Sequence, residues 1–209
     1  MLLALLLSVP LGIISAYRSG TWIDHSARLL ALAGFCIPRY WLAVLLILAF
    51  ALNFQWLPVS GYADLMTDPL GNLQHAALPV IALGVTVAAI QTRFLRSSLL
   101  DVIGQDYVRT ARAKGLAAQA VLLRHALKNA LIPFVTVVGL ELGALLGGLV
   151  VVEQIFAWPG IGWLMIQSID ARDYATVQGI VLVIAAGVVV INLVVDILYA
   201  RFDPRIHYV

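Results

Sequence analysis

The chain has 209 residues, of which 62% are apolar and only 11% are charged, and its mean hydropathy is +0.99. Ordinary soluble domains carry about 25% charged residues, so this composition indicates an integral membrane protein. The net charge of +2 gives no reason to expect a nucleic-acid partner. A single cysteine, Cys36, excludes an internal disulfide.

Five apolar runs approach the length of about 20 residues that a bilayer span needs. In chain order they are residues 2–16, 29–54, 78–95, 130–152 and 177–199. The first is short and contains Pro10, but it lacks the charged start and the cleavage site of a signal peptide. The sequence therefore predicts an all-α integral membrane protein with about five transmembrane helices.

The basic residues predict the orientation, because lysine and arginine accumulate in cytoplasmic loops. Assigning the connections alternately places eleven of the 13 basic residues on one side: Arg18, Arg28, Arg93, Arg96, Arg109, Arg112, Lys114, Arg124, Lys128, Arg201 and Arg205. We therefore expect these loops and the C-terminus to be cytoplasmic and the N-terminus to face outward. A chain that starts outside with no signal also suggests one more helix upstream.

Two connections fall on the predicted outer side. Residues 55–77 are rich in turn formers and read as an ordered surface loop. Residues 153–174 contain the turn Trp158-Pro-Gly-Ile-Gly162, followed by apolar residues at helical spacing. That pattern predicts a short helix, which either lies at the membrane interface or dips into the protein interior.

The most informative stretch is the basic segment Tyr107-Val-Arg-Thr-Ala-Arg-Ala-Lys-Gly115 between two apolar runs. Asp106 is suited to cap its N-terminus, and Gly115 is suited to end it in the left-handed region. Arg112 and Lys114 fall in the last turn, where the helix dipole favours cations. We expect a capped, exposed helix of about eight residues that binds to another protein.

Two ionisable residues fall inside predicted spans. Glu141 lies about halfway along the fourth span and Arg39 follows Pro38 in the second, and such residues are functional candidates by default. Glycines at positions 139, 143 and 147 predict close helix packing, with Glu141 about 200° around the axis from Gly139. Arg39 and Glu141 either form a buried pair, or Arg39 stretches to the interface, or both line a path for zwitterionic cargo.

Motifs of catalysis are not evident in the sequence. It has no G-x-x-x-x-G-K-[ST] phosphate loop and no H-E-x-x-H zinc pair. The four histidines show no metal-ligand spacing. We therefore expect a non-catalytic chain with no cofactor or metal of its own.

The basic segment, continued by Leu122-Leu-Arg-His-Ala-Leu-Lys-Asn-Ala-Leu-Ile-Pro133, resembles the cytoplasmic signature of type I binding-protein-dependent ABC importer permeases. Three more runs resemble the first permease subunit type of the dipeptide/oligopeptide branch: Trp56-Leu-Pro-Val-Ser-Gly-Tyr62, Val152-Glu-Gln-Ile-Phe-Ala-Trp-Pro-Gly-Ile-Gly162 and Val195-Asp-Ile-Leu-Tyr-Ala-Arg-Phe-Asp-Pro-Arg205. The resemblance extends from about Leu5 to Tyr208. Ala111 and Gly115 fit the wider Glu-Ala-Ala signature, whereas Arg109 stands where that signature has glutamate.

The resemblance implies a type I ABC importer transmembrane domain at 1–200 and a cytoplasmic tail at 201–209. Six transmembrane helices are expected in the family, and the N-terminal one would be missing here. It implies a permease subunit in the bacterial inner membrane that imports peptides. Its partners would be a homologous second permease, two ATPase subunits that hold ATP and Mg, an extracytoplasmic binding protein and membrane lipid.

Within that resemblance, the ATPase-coupling residues would be Tyr107, Arg109, Thr110, Ala111, Arg112, Ala113, Lys114 and Gly115. Arg39 and Glu141 would line the translocation path. The exact cargo stays open among dipeptides, oligopeptides, glutathione and nickel complexes. An ion-coupled secondary transporter and a purely structural membrane subunit are the alternatives from other classes.

Overall fold

The computed structural model describes residues 1–202, except for the side chains of residues 112 and 198–202. This part of the chain is helical and contains no strand. Its helices are α1 (Leu2–Tyr17), α2 (Trp22–Cys36), α3 (Arg39–Leu46), α4 (Pro69–Ile103), α5 (Asp106–Ala113), α6 (Ala118–Ala120), α7 (Leu127–Phe156), α8 (Ile161–Asp170) and α9 (Tyr174–Phe202). Two π-helical segments continue α3 through Ile47–Asn53 and join α6 to α7 through Val121–Ala126. The all-α class is confirmed.

Three helical stretches of the described chain are long and apolar enough to cross a membrane: Pro69–Ile103, Ala118–Phe156 and Tyr174–Ile197. The interrupted pair α2 and α3 makes a fourth if it is counted as one span. Helix α1 is apolar but has only 16 residues. All five predicted runs therefore lie in helices, although only three of those helices are uninterrupted and of full length.

The predicted second span is not one helix. Helix α2 ends at Cys36, and α3 begins at Arg39 after Ile37 and Pro38. Proline has no N–H to donate and clashes with the preceding turn, and it also disfavours helical geometry at the residue before it. Arg39 therefore lies in the first turn of a new helix, directly after the break in the predicted second span.

The predicted outer loop at 55–77 is too long, because α4 already begins at Pro69. The Asp68 Oδ1 accepts the N–H of Gly71 at 2.9 Å, and this satisfies one of the free amides of the first turn. Proline suits the first helical position because its missing N–H has no helical partner there. The Asp68-Pro69 pair is therefore the local signal that sets the boundary.

The chain divides into two compact units. Unit 1 comprises residues 1–35, 87–141 and the chain from 192 onward, and unit 2 comprises residues 36–86 and 142–191. Helices α4, α7 and α9 contribute residues to both. Each unit has its own apolar core, so each is described by itself.

The core of unit 1 is built from α4, α5 and the start of α7. Leu95, Leu99, Val108 and Val121 are its most deeply buried large side chains, with at most 1% of their surface exposed. A buried polar cluster lies in the same unit. Both carboxylate oxygens of Asp24 accept hydrogen bonds from the Arg96 guanidinium at 2.7 Å.

The core of unit 2 joins α3, α4 and α7. Leu78 and Phe156 are its largest fully buried side chains, and Ala43, Ala82 and Val152 pack with them. Alanine at two of these five positions lets the helices approach closely. This core holds the end of α7, from which the chain continues to α8.

The predicted glycine ladder is only partly a packing surface. At Gly139 a Cβ atom would collide with the Val195 side chain, so α7 and α9 approach closely within unit 1. At Gly143, in unit 2, a Cβ atom would make an ordinary 3.8 Å contact with Val188. Nothing lies within 4 Å of a Cβ atom at Gly147. The expectation of a continuous ladder was wrong, because sequence spacing does not reveal where the neighbouring helix leaves the face.

Candidate functional site

The basic segment forms α5, and one face of this helix is fixed to the protein. Val108 is fully buried and Ala111 is 8% exposed, and both belong to the core of unit 1. Residues three apart lie on the same face of a helix, so these two side chains act together as an apolar anchor. They pack in the same cluster as Leu99 and Val121, which connects α5 to α4 and to the start of the next long helix.

The opposite face of α5 is open. Arg109, Thr110, Ala113 and Lys114 are all exposed. The Arg109 guanidinium lies 3.6 Å from the Asp106 carboxylate, with 78% and 97% of the two side chains exposed. Exposed pairs of this kind contribute about 0–1 kcal/mol, so this pair adds little stability and the face remains polar and charged.

The ends of α5 explain its length of eight residues, as predicted. The Gln105 carbonyl accepts from the N–H groups of Val108 at 3.1 Å and Arg109 at 3.2 Å. Asp106 is therefore the first helical residue, and its prediction as the N-cap was wrong by one position. Gly115 has a φ of +78°, so its predicted left-handed conformation after the helix is confirmed. Lys114 lies just beyond the last helical residue.

A hydrogen bond that the sequence pattern did not predict connects α5 to α7. The Asn129 Nδ2 donates to the Tyr107 hydroxyl at 2.6 Å. Tyr107 is 39% exposed, so part of its side chain packs against the protein and part of it faces the open surface. Asn129 had no distinguishing signal in the sequence, because only the fold brings it beside Tyr107.

The connection after α5 continues the exposed basic surface. Val121 and Leu122 are buried in the core of unit 1, whereas Arg124, His125 and Lys128 are exposed. The π-helical segment Val121–Ala126 lies here, and such segments occur frequently at functional sites. Of the predicted coupling residues, Arg112 is placed in α5 by its backbone, and its side chain is outside the described part.

The structure places the two candidate path residues in different units. Arg39 is half-buried, and its Nη1 would lie 2.8 Å from a Cβ atom at Gly148 on α7. The absence of a side chain at Gly148 thus leaves room for the guanidinium. Glu141 is half-buried on α7 at the end of a segment of unit 1. Pairing between Arg39 and Glu141, and a role of both in a path, stay predictions.

The segment between α7 and α8 contains a second anchor that no local sequence pattern predicted. Glu153 is 8% exposed, and its Oε2 accepts the backbone N–H of Trp163 at 2.8 Å. This carboxylate therefore accepts a hydrogen bond from one of the free amides at the N-terminus of α8, where the helix dipole also favours negative charge. A Cβ atom at Gly160 would collide with the Glu153 carboxylate. The predicted short helix is confirmed as α8.

The turn before α8 is held by contacts within unit 2. Tyr62 meets Trp158 edge-on, with 5.1 Å between the ring centroids. The Gly61 N–H donates to the Phe156 carbonyl at 2.8 Å. The loop between α3 and α4 is therefore tied to the segment between α7 and α8, which agrees with its predicted order.

Comparison with known proteins extends across the chain. Residues 8–208 match the family described as "Binding-protein-dependent transport system inner membrane component". The oligopeptide transport system permease protein AppB of Bacillus subtilis is 43% identical over 209 residues, which cover 99% of this chain and 66% of that protein.

Glutathione transport system permease proteins named GsiC are similar to the same degree. The protein of Salmonella typhimurium is 44% identical over 208 residues, and that of Escherichia coli K12 is 43% identical over 208 residues. In both cases the match covers all of this chain and 65% of the relative. The chain thus spans about two thirds of the length of these relatives. It is a multi-pass membrane protein that belongs to the family of binding-protein-dependent transport system inner membrane components.

Proposed function

We propose that this chain is a permease subunit of an ATP-driven importer of short peptides and forms half of its translocation pathway. Its family consists of inner membrane components of binding-protein-dependent transport. Relatives at 43–44% identity are named for oligopeptide and glutathione transport. Glutathione is itself a tripeptide, so short peptides are the cargo class that both names share. Glutathione is the second candidate cargo on the strength of those names.

The observation that carries the proposal is the two-sided exposure of α5. Val108 and Ala111 fix one face in the core of unit 1, whereas Arg109, Thr110 and Ala113 are exposed on the other. A helix this short contributes little stability by itself, and the one ion pair described on its open face, between Arg109 and Asp106, is itself exposed. A docking surface for a separate ATPase accounts for both faces.

This arrangement supports a mechanical route for coupling. A displacement of α5 acts on Val108 and Ala111, and through them on the side chains of α4 in the same core. The hydrogen bond from Asn129 to Tyr107 carries the same displacement to α7. ATP and Mg²⁺ would bind to two partner ATPase subunits, and this chain would supply the exposed face of α5 and the connection to its long helices.

Other subunits and the orientation belong to the same proposal. A homologous second permease would complete the pathway, and an extracytoplasmic binding protein would deliver the peptide. The distribution of lysine and arginine supports a cytoplasmic position for α5 and for the C-terminus. The last residues of the predicted tail, from 203 onward, lie outside the described part of the chain.

Arg39 and Glu141 remain the proposed polar residues of the pathway. A free peptide carries an ammonium group and a carboxylate group, and one side chain of each charge suits both ends. Replacing each residue by glutamine should reduce uptake more than it reduces the amount of folded protein in the membrane. Equal losses of uptake and of folded protein would assign the two residues to structure alone.

Reconstitution in liposomes tests the proposed function. The protein, its accompanying permease and the ATPase subunits are incorporated together, and uptake of a labelled dipeptide is measured with the binding protein on the outside. Uptake should require internal ATP and should persist when an ionophore collapses ion gradients. Uptake that survives omission of the ATPase but stops with the ionophore would establish the ion-coupled alternative instead. Competition with glutathione then separates the two candidate cargoes.

A further inference from the structure

A cavity of about 700 Å³ opens in unit 1 beside α2 and α4. Its walls combine positive charge with aromatic surface, and Arg28, Phe35, Arg93, Phe94, Arg96 and Ser97 are among the lining residues. The proposed transport function does not use it. A cavity of mixed character on a membrane protein calls for a ligand with both an anionic and an apolar part.

The arginines of the cavity are not equivalent. Arg96 is engaged by both carboxylate oxygens of Asp24, each at 2.7 Å. Arg28 and Arg93 form no ion pair with any carboxylate in the described part of the chain. The Arg93 guanidinium lies 5.3 Å from the centre of the Phe35 ring, a cation–π contact that orients the group without neutralising its charge. The cavity thus holds two guanidinium groups that are available to an anion.

Both of these arginines lie where an apolar run meets a polar one. Arg28 immediately precedes the apolar run at 29–54, and Arg93 lies near the end of the run at 78–95. The sequence therefore puts both charges at the ends of apolar runs, where lipid headgroups are expected. Phe35 and Phe94 are 55% and 42% exposed and supply apolar surface next to these charges.

One carboxylate also lines the cavity, and its position limits its effect. Asp101 follows Arg93 by eight residues on α4, which corresponds to about 12 Å along a helix. Exposed charges farther apart than about 8–10 Å are largely screened at physiological ionic strength. Asp101 therefore leaves the end of the cavity at Arg93 basic.

We propose that this cavity binds the phosphate headgroup of an anionic membrane phospholipid. Arg28 and Arg93 would hold the phosphate, because guanidinium groups present several N–H donors in a geometry that matches phosphate oxygens. The Ser97 hydroxyl would be available as a further donor, and an acyl chain would run along Phe35 and Phe94. The proposal does not depend on the transported cargo.

The test measures lipid binding by the protein, purified with its accompanying subunits in a neutral detergent. Brominated phosphatidylglycerol and brominated phosphatidylcholine are titrated in, and quenching of tryptophan fluorescence reports binding. The wild-type protein should prefer phosphatidylglycerol. The R28Q/R93Q variant should lose about tenfold or more of that preference, as expected when two arginine–headgroup attractions are removed.

The matched control removes two exposed basic residues outside the cavity. The R124Q/K128Q variant carries the same change of charge and should keep the wild-type preference, because Arg124 and Lys128 are on the exposed surface that follows α5. Equal losses in both double variants would show a general charge effect and would overturn the proposal.

Two further outcomes do not depend on whether the variants fold. If the wild-type protein binds both lipids equally, the proposal is wrong. If millimolar inorganic phosphate or glycerol phosphate displaces phosphatidylglycerol, the cavity is a site for a soluble anion, and its assignment to lipid is overturned. Displacement by unlabelled phosphatidylglycerol alone would support it.

Discussion

Helices α5 and α8 are both short connecting helices, and they are attached to the protein in opposite ways. Helix α5 has eight residues and is held by the apolar side chains of Val108 and Ala111 and by one hydrogen bond at Tyr107, while its polar face is exposed. Helix α8 has ten residues, and its N-terminus is closed by the buried Glu153 carboxylate. Gly162, at its second position, packs against the backbone of Val150.

The difference shows what each helix is free to do. A polar anchor with fixed geometry, together with backbone contact, resists rotation and displacement, so α8 is built as a rigid part of unit 2. An apolar anchor is less directional, and it leaves the polar face of α5 available to a partner. The same chain thus contains one short helix that is rigidly attached, α8, and one whose polar face is available to a partner, α5.

The largest expected effect comes from the buried ion pair between Asp24 of α2 and Arg96 of α4 in unit 1. Replacing Asp24 by asparagine leaves the Arg96 charge without its bidentate partner, and breaking a buried pair costs about 3–5 kcal/mol. Asp24 is 1% and Arg96 is 18% exposed, so the lower end of that range is expected. The midpoint of thermal unfolding in detergent measures it.

The control for this change is the double variant D24N/R96M, which also removes the unpaired Arg96 charge. Its stability should recover most of the loss, because an apolar side chain replaces the ion without leaving it unpaired. If D24N alone unfolds at the wild-type temperature, the pair does not support unit 1.

The rigid attachment of α8 is tested by adding one methyl group. In Gly162→Ala, the new Cβ would lie 2.6 Å from the Val150 Cα, so backbone must move, at a cost of about 1–3 kcal/mol. The matched control is Gly147→Ala in α7, where nothing lies within 4 Å of the new atom. The control should be neutral or slightly stabilising, since alanine favours helix over glycine. Equal unfolding midpoints for the two variants would contradict a tight contact at α8.

The role of the exposed face of α5 in binding a partner is tested by a substitution at the C-terminal end of the helix. Gly115→Val forces a β-branched residue into the left-handed region, which costs about 1–2 kcal/mol and should disturb the end of α5. We expect ATPase activity to continue with less peptide transported for each ATP. Gly20→Val is the matched control, because Gly20 has a φ of +80° and, like Gly115, nothing within 4 Å. Uncoupling by both variants to the same degree would argue against a special role of α5.

The smallest expected effect is at Asp173, between α8 and α9. Its carboxylate accepts from the Thr176 hydroxyl at 2.5 Å and from the Thr176 N–H at 3.1 Å. These hydrogen bonds lower the pKa of Asp173 below its usual value. The stabilisation is therefore present above the pKa of the unfolded chain and is lost as the pH falls through the lowered folded value.

Asp173→Ala should accordingly unfold slightly below the wild-type temperature at neutral pH. The gap between the two proteins should narrow as the pH falls below about 4, and it should close once the pH has passed the lowered pKa of the folded wild-type carboxyl group. A gap that is unchanged down to pH 3 would show that the ionised carboxylate does not cap α9.

Local signals in the sequence predicted the local features well. The length of α5 and the left-handed Gly115 follow from residues next to each other in the chain, and the short helix α8 follows from its apolar spacing. The start of α4 was also encoded locally, by Asp68 and Pro69, but the turn formers around them suggested a longer loop.

Features that depend on the fold were not predictable in this way. The Asn129–Tyr107 hydrogen bond and the Glu153 cap join residues that are brought together only by packing. The glycine ladder failed for the same reason, because Gly139 contacts a neighbouring helix closely and Gly147 does not. Spacing identifies a helix face, but the position of the neighbour decides whether the face is used.

Crosslinking from the exposed face of α5 tests the central claim most directly. Cysteine is placed at Ala113 in a Cys36→Ser background, because Cys36 is itself exposed, and the control cysteine replaces Met66, which is 88% exposed in the loop before α4. The assembled transporter is treated with a short thiol-to-amine crosslinker with and without ATP. The account predicts a crosslink from position 113 to the ATPase that changes with ATP, and none from position 66. An assembled, ATP-hydrolysing transporter that gives no crosslink from position 113, or the same crosslink from both positions, would contradict it.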